Sequence, residues 1–301
     1  MITSSYLADA DRYERTMHGW VDAPRPDAFT MNVRIADPWV AVELVAVTLP
    51  SPAYTIQGAR GRVLVGPPGW IDPGLGEAMG RLAGVGMTAG FTRTVAEVAG
   101  ARPGAQYFID AAIEVARLAR QVTRLPPERV RQAAGEGALG FWRMDLAGWA
   151  EFTDSCYTYR PETEALFRER SVATAMAPEF YAPPLGAARI FNRTKVARLE
   201  RRDARLLLAH SMFDEAHSFQ IWYWVDLASG MVVDAGSLTP RLPYLGICDD
   251  PQARIGRLVG QRVDARLRKG LGGLIGGREG CAQLYDLTAD LLKLLTLPAP
   301  A

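Results

Sequence analysis

The sequence predicts an α+β protein of two tandem pseudo-repeat domains, each a mainly antiparallel sheet with helices on one face. Three observations predict it. A long stretch near the C-terminus repeats an earlier one without a gap. Strand-like runs come in groups ahead of helix-like runs instead of alternating with them. The 301 residues are enough for two domains of ordinary size, each with its own core.

The repeat is read first, because missing one misassigns the whole fold. Between Ala78–Leu118 and Arg254–Leu295, Gly80, Arg81 and Leu82 fall on Gly256, Arg257 and Leu258, and Gly84 falls on Gly260. Gly100, Arg102, Gly104 and Asp110 fall on Gly276, Arg278, Gly280 and Asp286, all at one offset (256 − 80 = 176). Upstream, Tyr13–Thr16 (YERT) resembles Phe191–Thr194 (FNRT). The division expected is 1–123 for a degenerate first repeat, 124–186 for a helical, aromatic-rich connecting segment, and 187–301 for the second repeat.

In the first repeat, Phe29, Met31, Val33 and Ile35 alternate with polar or small residues, and Val40–Val47 is a valine-rich run, which makes a strand, a turn and a strand. Pro50, Pro52, Gly58, Gly61 and the cluster Gly66–Gly74 read as a break in regular structure and as an insertion without counterpart. Helices are expected around Glu77–Ala83, Phe91–Ala99 and Gln106–Thr123. In the connecting segment Pro126-Pro127 starts one helix, and Glu162–Met176, between Pro161 and Pro178, is another. Between them, two tryptophans and two tyrosines surround Cys156; aromatics at this density are expected to pack on a domain, or else to wall a pocket for an apolar substrate. The second repeat reads as strands over Ile190–Leu199, Arg205–Ser211, Phe219–Val225 and Met231–Ala235, then a helix over Gln252–Val263. Cys281 opens a last helix with Leu284, Leu287, Leu291 and Leu295 on one stripe.

With 34 basic and 33 acidic residues and no block of like charge, neither nucleic acid nor an anionic membrane is an expected partner. The expected partners are a small-molecule substrate and a second copy or another protein. No apolar run is long enough to span a bilayer, and the leader MITSSYLADADRYERT lacks the regions of a signal peptide, so a cytoplasmic location is expected. Three cysteines, Cys156, Cys248 and Cys281, cannot make a disulfide framework.

His217, Cys248 and Cys281 stand at breaks in the pattern: before a strand, after the sheet, and at the head of the last helix. Imidazole and two thiolates suit zinc or iron. A helix N-terminus and nearby Arg278 would favour thiolate at Cys281. Asp249, Asp250, Gln283, His210 or water could fill a fourth position. Gaps of about thirty residues match no local zinc signature. In the first repeat, His217 is aligned with Asp27, Cys248 with Gln57 or Gly58, and Cys281 with Ala105, so all three candidates are missing while glycines persist.

His217, the approach Pro240/Pro243 to Cys248, Leu258-Val259-Gly260, and Gly280-Cys281-Ala282-Gln283-Leu284 together resemble the bacterial family known as domain of unknown function number 2889. The resemblance covers about Arg189–Leu295 and, more faintly, Tyr13–Arg120. That family usually has histidine where Gln283 stands. A more distant likeness is to iron–sulfur scaffold folds of the NifU, IscU and SufE kind, which place ligands before a hairpin, at the end of the sheet and at the head of a late helix. It implies fold more than activity. Asp214-Glu215-Ala216-His217 spells a helicase box, but no phosphate loop accompanies it, and Lys269–Gly277 follows no strand and is no dinucleotide loop. The function expected is metal binding, leaning to a hydrolase or lyase acting on a small apolar or aromatic substrate, with Asp249 or Asp250 as catalytic base. The alternatives are sulfur or iron–sulfur handling, and a binding or assembly module without turnover.

Overall fold

The computed structural model describes Leu7 and residues 10–296; residues 1–6 of the leader lie outside that set. The chain is α+β and falls into two compact units. One, the N-terminal unit, comprises residues 15–132 and 177–194; the other, the C-terminal unit, comprises residues 10–14, 133–176 and 195–296. The connecting segment is therefore shared out, its aromatic part going to the C-terminal unit. Among the described residues, no helix is long and apolar enough to cross a membrane.

In the N-terminal unit, β1 (Arg12–Ala23), β2 (Phe29–Ala36), β3 (Ala41–Thr48) and β4 (Ile56–Val65) pair antiparallel in the order β4-β3-β2-β1. The alternation in β2 does what it predicts: Phe29, Met31, Val33 and Ile35 are all buried. They lie under α1 (Leu75–Ala78), a 3-10 turn over Met79–Leu82, α2 (Phe91–Ala99) and α3 (Ala105–Leu118), with α3 against β2 and β3 and α1 against β4. β4 corrects the expectation that Gly58 and Gly61 break the chain. A Cβ on Gly61 would lie 2.5 Å from the Phe108 ring and 2.9 Å from the Gly76 Cα, so this glycine lets two helices approach a strand. α4 (Pro127–Gly135) starts at the expected proline.

In the C-terminal unit, α5 (Gly137–Gly148), α6 (Thr163–Glu169) and the short β5 (Ala173–Thr174) come from the connecting segment. β6 (Ala187–Arg202), β7 (Arg205–Asp214), β8 (Ser218–Asp226) and β9 (Val232–Arg241) follow in sheet order β6-β7-β8-β9, and β10 (Tyr244–Leu245) pairs with β5. A 3-10 turn over Asp250–Leu258, α7 (Ala265–Ile275) and α8 (Ala282–Thr296) complete the unit. α8 packs on β7 and β8 through Leu284, Leu287, Leu291 and Leu295, all buried, as the stripe requires. The helix expected over Gln252–Val263 is instead a 3-10 turn that stops at Leu258, because Gly260 turns the chain with φ +80°. The helix expected to reach Met176 ends at Glu169, where Arg170 turns extended.

Both units contain a run of four strands, a 3-10 turn and two helices, and several hydrogen bonds of these runs recur at one offset. The Ile56 N–H donates to Val85 at 2.9 Å and the Val232 N–H to Gln261 at 2.9 Å; Gly84 donates back to Ile56 at 2.7 Å and Gly260 to Val232 at 2.8 Å. Each step is the same offset (232 − 56 = 176 and 261 − 85 = 176). The isolated bridges Thr55–Gly86 and Met231–Arg262 obey it too, and Gly84 shares the left-handed φ of Gly260, at +85°. Irregularities of register fall at both ends of β3 on β4 and at both ends of β8 on β9.

Candidate functional site

Each cysteine sits where an element ends. Cys281 precedes α8: its N–H donates to the Ile275 carbonyl at 2.9 Å and its own carbonyl accepts from Tyr285 at 3.0 Å. A Cβ on Gly280 would lie 2.2 Å from that same Ile275 oxygen, so only glycine lets the chain turn in tightly enough to place Cys281. Cys248 follows β10, its N–H donating to Tyr244 at 2.8 Å, while Asp249 accepts from Gly246 N–H at 2.6 Å and closes the turn. Cys156 lies in the loop between α5 and α6 and accepts from the Tyr159 N–H at 3.1 Å.

The Cys156 loop bridges the other two. The Tyr157 N–H donates to the Gly280 carbonyl at 2.9 Å, and the Thr158 hydroxyl lies 3.1 Å from the Cys248 sulfur. Gln252 Nε2 donates to the Cys248 carbonyl at 2.9 Å. From below, Asp145, fully buried, accepts from the Tyr159 and Tyr244 hydroxyls, and the Trp142 indole donates to the Thr158 carbonyl at 2.8 Å. Ring contacts Trp142–Phe167, Phe152–Tyr159 and Phe167–Tyr244 fill the rest, so these aromatics pack on this unit, Trp142 and Trp149 buried and Phe152, Tyr159 and Phe167 half-buried. At the surface the loop is tied by Arg278 to Asp154 and Glu162 (2.8 and 2.6 Å), by Arg160 to Glu279 (3.1 Å), and by the Tyr157 hydroxyl to Asp250 (2.8 Å).

Burial pushes all three thiols up. Cys156 rises to about 11, with the Cys281 charge adding to burial. Cys248 rises further through burial, against the Thr158 hydrogen bond and with Cys156 and Cys281 adding. Cys281 also rises through burial, despite the N–H groups of Leu284 and Gln283 and the Gln252 side chain. Raised in this way, all three stay thiols at neutral pH. This corrects the expectation of a thiolate at Cys281: desolvation outweighs the helix terminus, and Arg278 spends its guanidinium on Asp154, Glu162 and Glu279. All three residues keep part of their surface open to solvent.

The other expected residues are placed as follows. His217 is in the β7–β8 turn, buried, with Nδ1 2.9 Å from Asp214 Oδ1, which also accepts the N–H of Ala216 and of His217. Among the described residues no group of three or more His, Cys, Asp and Glu side chains is placed to hold a metal ion, and His217, Cys248 and Cys281 form none. Asp249 is occupied by its turn, and Asp250 accepts from Tyr157 and from Arg170 at 2.8 Å. His210 is 2.9 Å from the Leu287 carbonyl on the buried face of β7. One counterpart also changes. The turn Asp214–His217 repeats Asp37–Val40 bond for bond (214 − 37 = 177), so His217 answers to Val40 and not to Asp27. The contact of the Cys156 loop with the surroundings of Cys248 and Cys281 was not read from the sequence.

Residues 200–296 match the sequence model of a family described as "Protein of unknown function (DUF2889)". No curated protein matches the chain. No solved structure matches it.

Proposed function

We propose that the C-terminal unit is a thiol centre for a thiophilic metal ion, zinc or iron, and that the N-terminal unit is a tandem copy of the same module without one. One observation carries the reading: the loop of Cys156 is bonded to the Gly280 carbonyl next to Cys281 and, through Thr158, lies 3.1 Å from the Cys248 sulfur, although the cysteines are 92 and 33 residues apart in sequence (248 − 156 and 281 − 248). An ion displaces the protons that burial imposes and leaves thiolates as donors. Cys248 and Cys281 keep the role read for them, and Cys156 takes the place given to His217. The side chains as described surround no common point, so the reading entails closure of the Cys156 loop on the ion. A bound ion would supply Lewis-acid chemistry of the hydrolase or lyase kind to a small apolar or aromatic substrate. Of the two aspartates, Asp250 is the one hydrogen-bonded to the Cys156 loop and is the candidate base.

A second reading, sulfur or iron–sulfur handling by the thiols themselves, is favoured by their partial exposure. Metal analysis of anaerobically purified protein tests the first: it expects one zinc or iron per chain, lost in Cys156→Ser, Cys248→Ser and Cys281→Ser and kept in His217→Ala. Metal-free protein whose thiols react alike with and without added zinc ends that reading, and visible charge-transfer absorbance moves it to iron–sulfur.

A further inference from the structure

On the face of the N-terminal sheet turned away from its helices, β3 presents Glu43, Val45 and Val47, since the alternate residues Val42, Leu44, Ala46 and Thr48 are buried on the helix side. Their cross-strand partners on β4 are Arg62, Arg60 and Gly58. These six residues line a hollow of about 450 Å³, a size at which small-molecule sites are found. Gly58 is required neither by its backbone, whose φ is not left-handed, nor by packing, because a Cβ there would meet no atom within 4 Å. Its missing side chain keeps the hollow open. Arg62 and Arg34 donate to Glu43 at 2.6 and 3.1 Å, whereas the exposed Arg60 guanidinium has no hydrogen bond or ion pair among the described residues.

The C-terminal unit fills the same place. The pairs Val45–Arg60, Val47–Gly58 and Glu43–Arg62 answer to Trp222–Gly236, Trp224–Asp234 and Gln220–Leu238 (222 − 45 = 177 and 236 − 60 = 176). A Cβ on Gly236 would lie 2.2 Å from the Trp222 ring, so that indole lies across the neighbouring strand. The hollow is therefore no by-product of the shared strand pairing. We propose that it binds a small carboxylate with a hydrocarbon body, its oxygens taken by Arg60 and its chain laid on Val45 and Val47. The charges name the ligand class: two arginines border the hollow against one carboxylate, which is already paired, and the floor between them is valine. The site lies in the unit without cysteines, so it stands or falls apart from the thiol centre.

Isothermal titration calorimetry of the full chain with octanoate tests it. The wild type is expected to bind octanoate saturably, and acetate, which has the charge but no chain, at least about ten-fold more weakly. Arg60→Ala is expected to weaken octanoate binding about ten-fold or more. Gly58→Val and Val45→Trp, which put atoms into the hollow, are expected to abolish it. Circular dichroism and Tm confirm that each variant is folded. No saturable binding to the wild type, or equal affinity in wild type, Arg60→Ala and Gly58→Val, overturns the proposal. Acetate or inorganic phosphate binding as tightly as octanoate overturns it too.

Discussion

Val40 and His217 occupy the same corner of two hairpins. In each, an aspartate oxygen, from Asp37 or Asp214, gathers the N–H groups of the turn; only in the second does it also meet an imidazole. The same contrast recurs at the head of the long helix. In the N-terminal unit, Asp72 N–H donates to the Pro103 carbonyl, and Ile71, buried, closes against Gly104. In the C-terminal unit, Tyr157 N–H donates to the carbonyl of Gly280, so the loop that carries Cys156 reaches the head of α8. Even the shared arginine differs: Arg102 donates to the carbonyls of Ala99 and Val98 at the end of α2, while Arg278 holds the covering loop. At the head of the long helix one unit thus has an apolar side chain, Ile71, and the other a loop that carries a cysteine.

Removing the thiols attacks that contrast most directly. Cys248→Ser with Cys281→Ala is expected to weaken metal uptake by about 100-fold or more, read by competition with a chelator. Next come the cores. Leu287, fully buried, answers to Ala111 (287 − 176 = 111), so Leu287→Ala should cost about 2–5 kcal/mol in denaturant unfolding and Ala111→Gly about 1 kcal/mol.

A smaller effect follows from pH. The folded metal-free protein holds Cys156 near 11 where an ordinary thiol titrates near 9.0, and the other two are raised as well. The unfolded chain therefore releases these protons first, and the stabilisation, fully present below about 9, is lost as pH climbs toward about 11. A triple Cys→Ala variant should flatten that fall in Tm. The smallest effect is expected from Arg278→Ala, which should raise the reaction rate of Cys156 with a thiol reagent a few-fold, with high salt mimicking it. Arg102→Ala should leave the thiols unchanged.

Much of the architecture was legible because helices and their glycine turns kept one offset. The leucine stripe of α8 needed only its steps of three and four. The hairpins were harder: β3 and β8 align at 177 and the flanking elements at 176, and this slip hides among strand residues that tolerate substitution. Hence His217 received a wrong counterpart, although its position at an element end was read correctly. The contact of the Cys156 loop with the surroundings of Cys248 and Cys281 was not legible, because its segment has no repeat partner.

Gly84 and Gly260 make the same left-handed turn, with the same bonds back to Ile56 and Val232. A Cβ at either would meet no atom within 4 Å, so alanine there would pay for torsion alone. The molecule therefore carries a matched pair of backbone reporters, each seated beneath a different neighbourhood. Any disparity between Gly84→Ala and Gly260→Ala would measure how firmly each half clamps an identical bend, with the chain serving as its own reference.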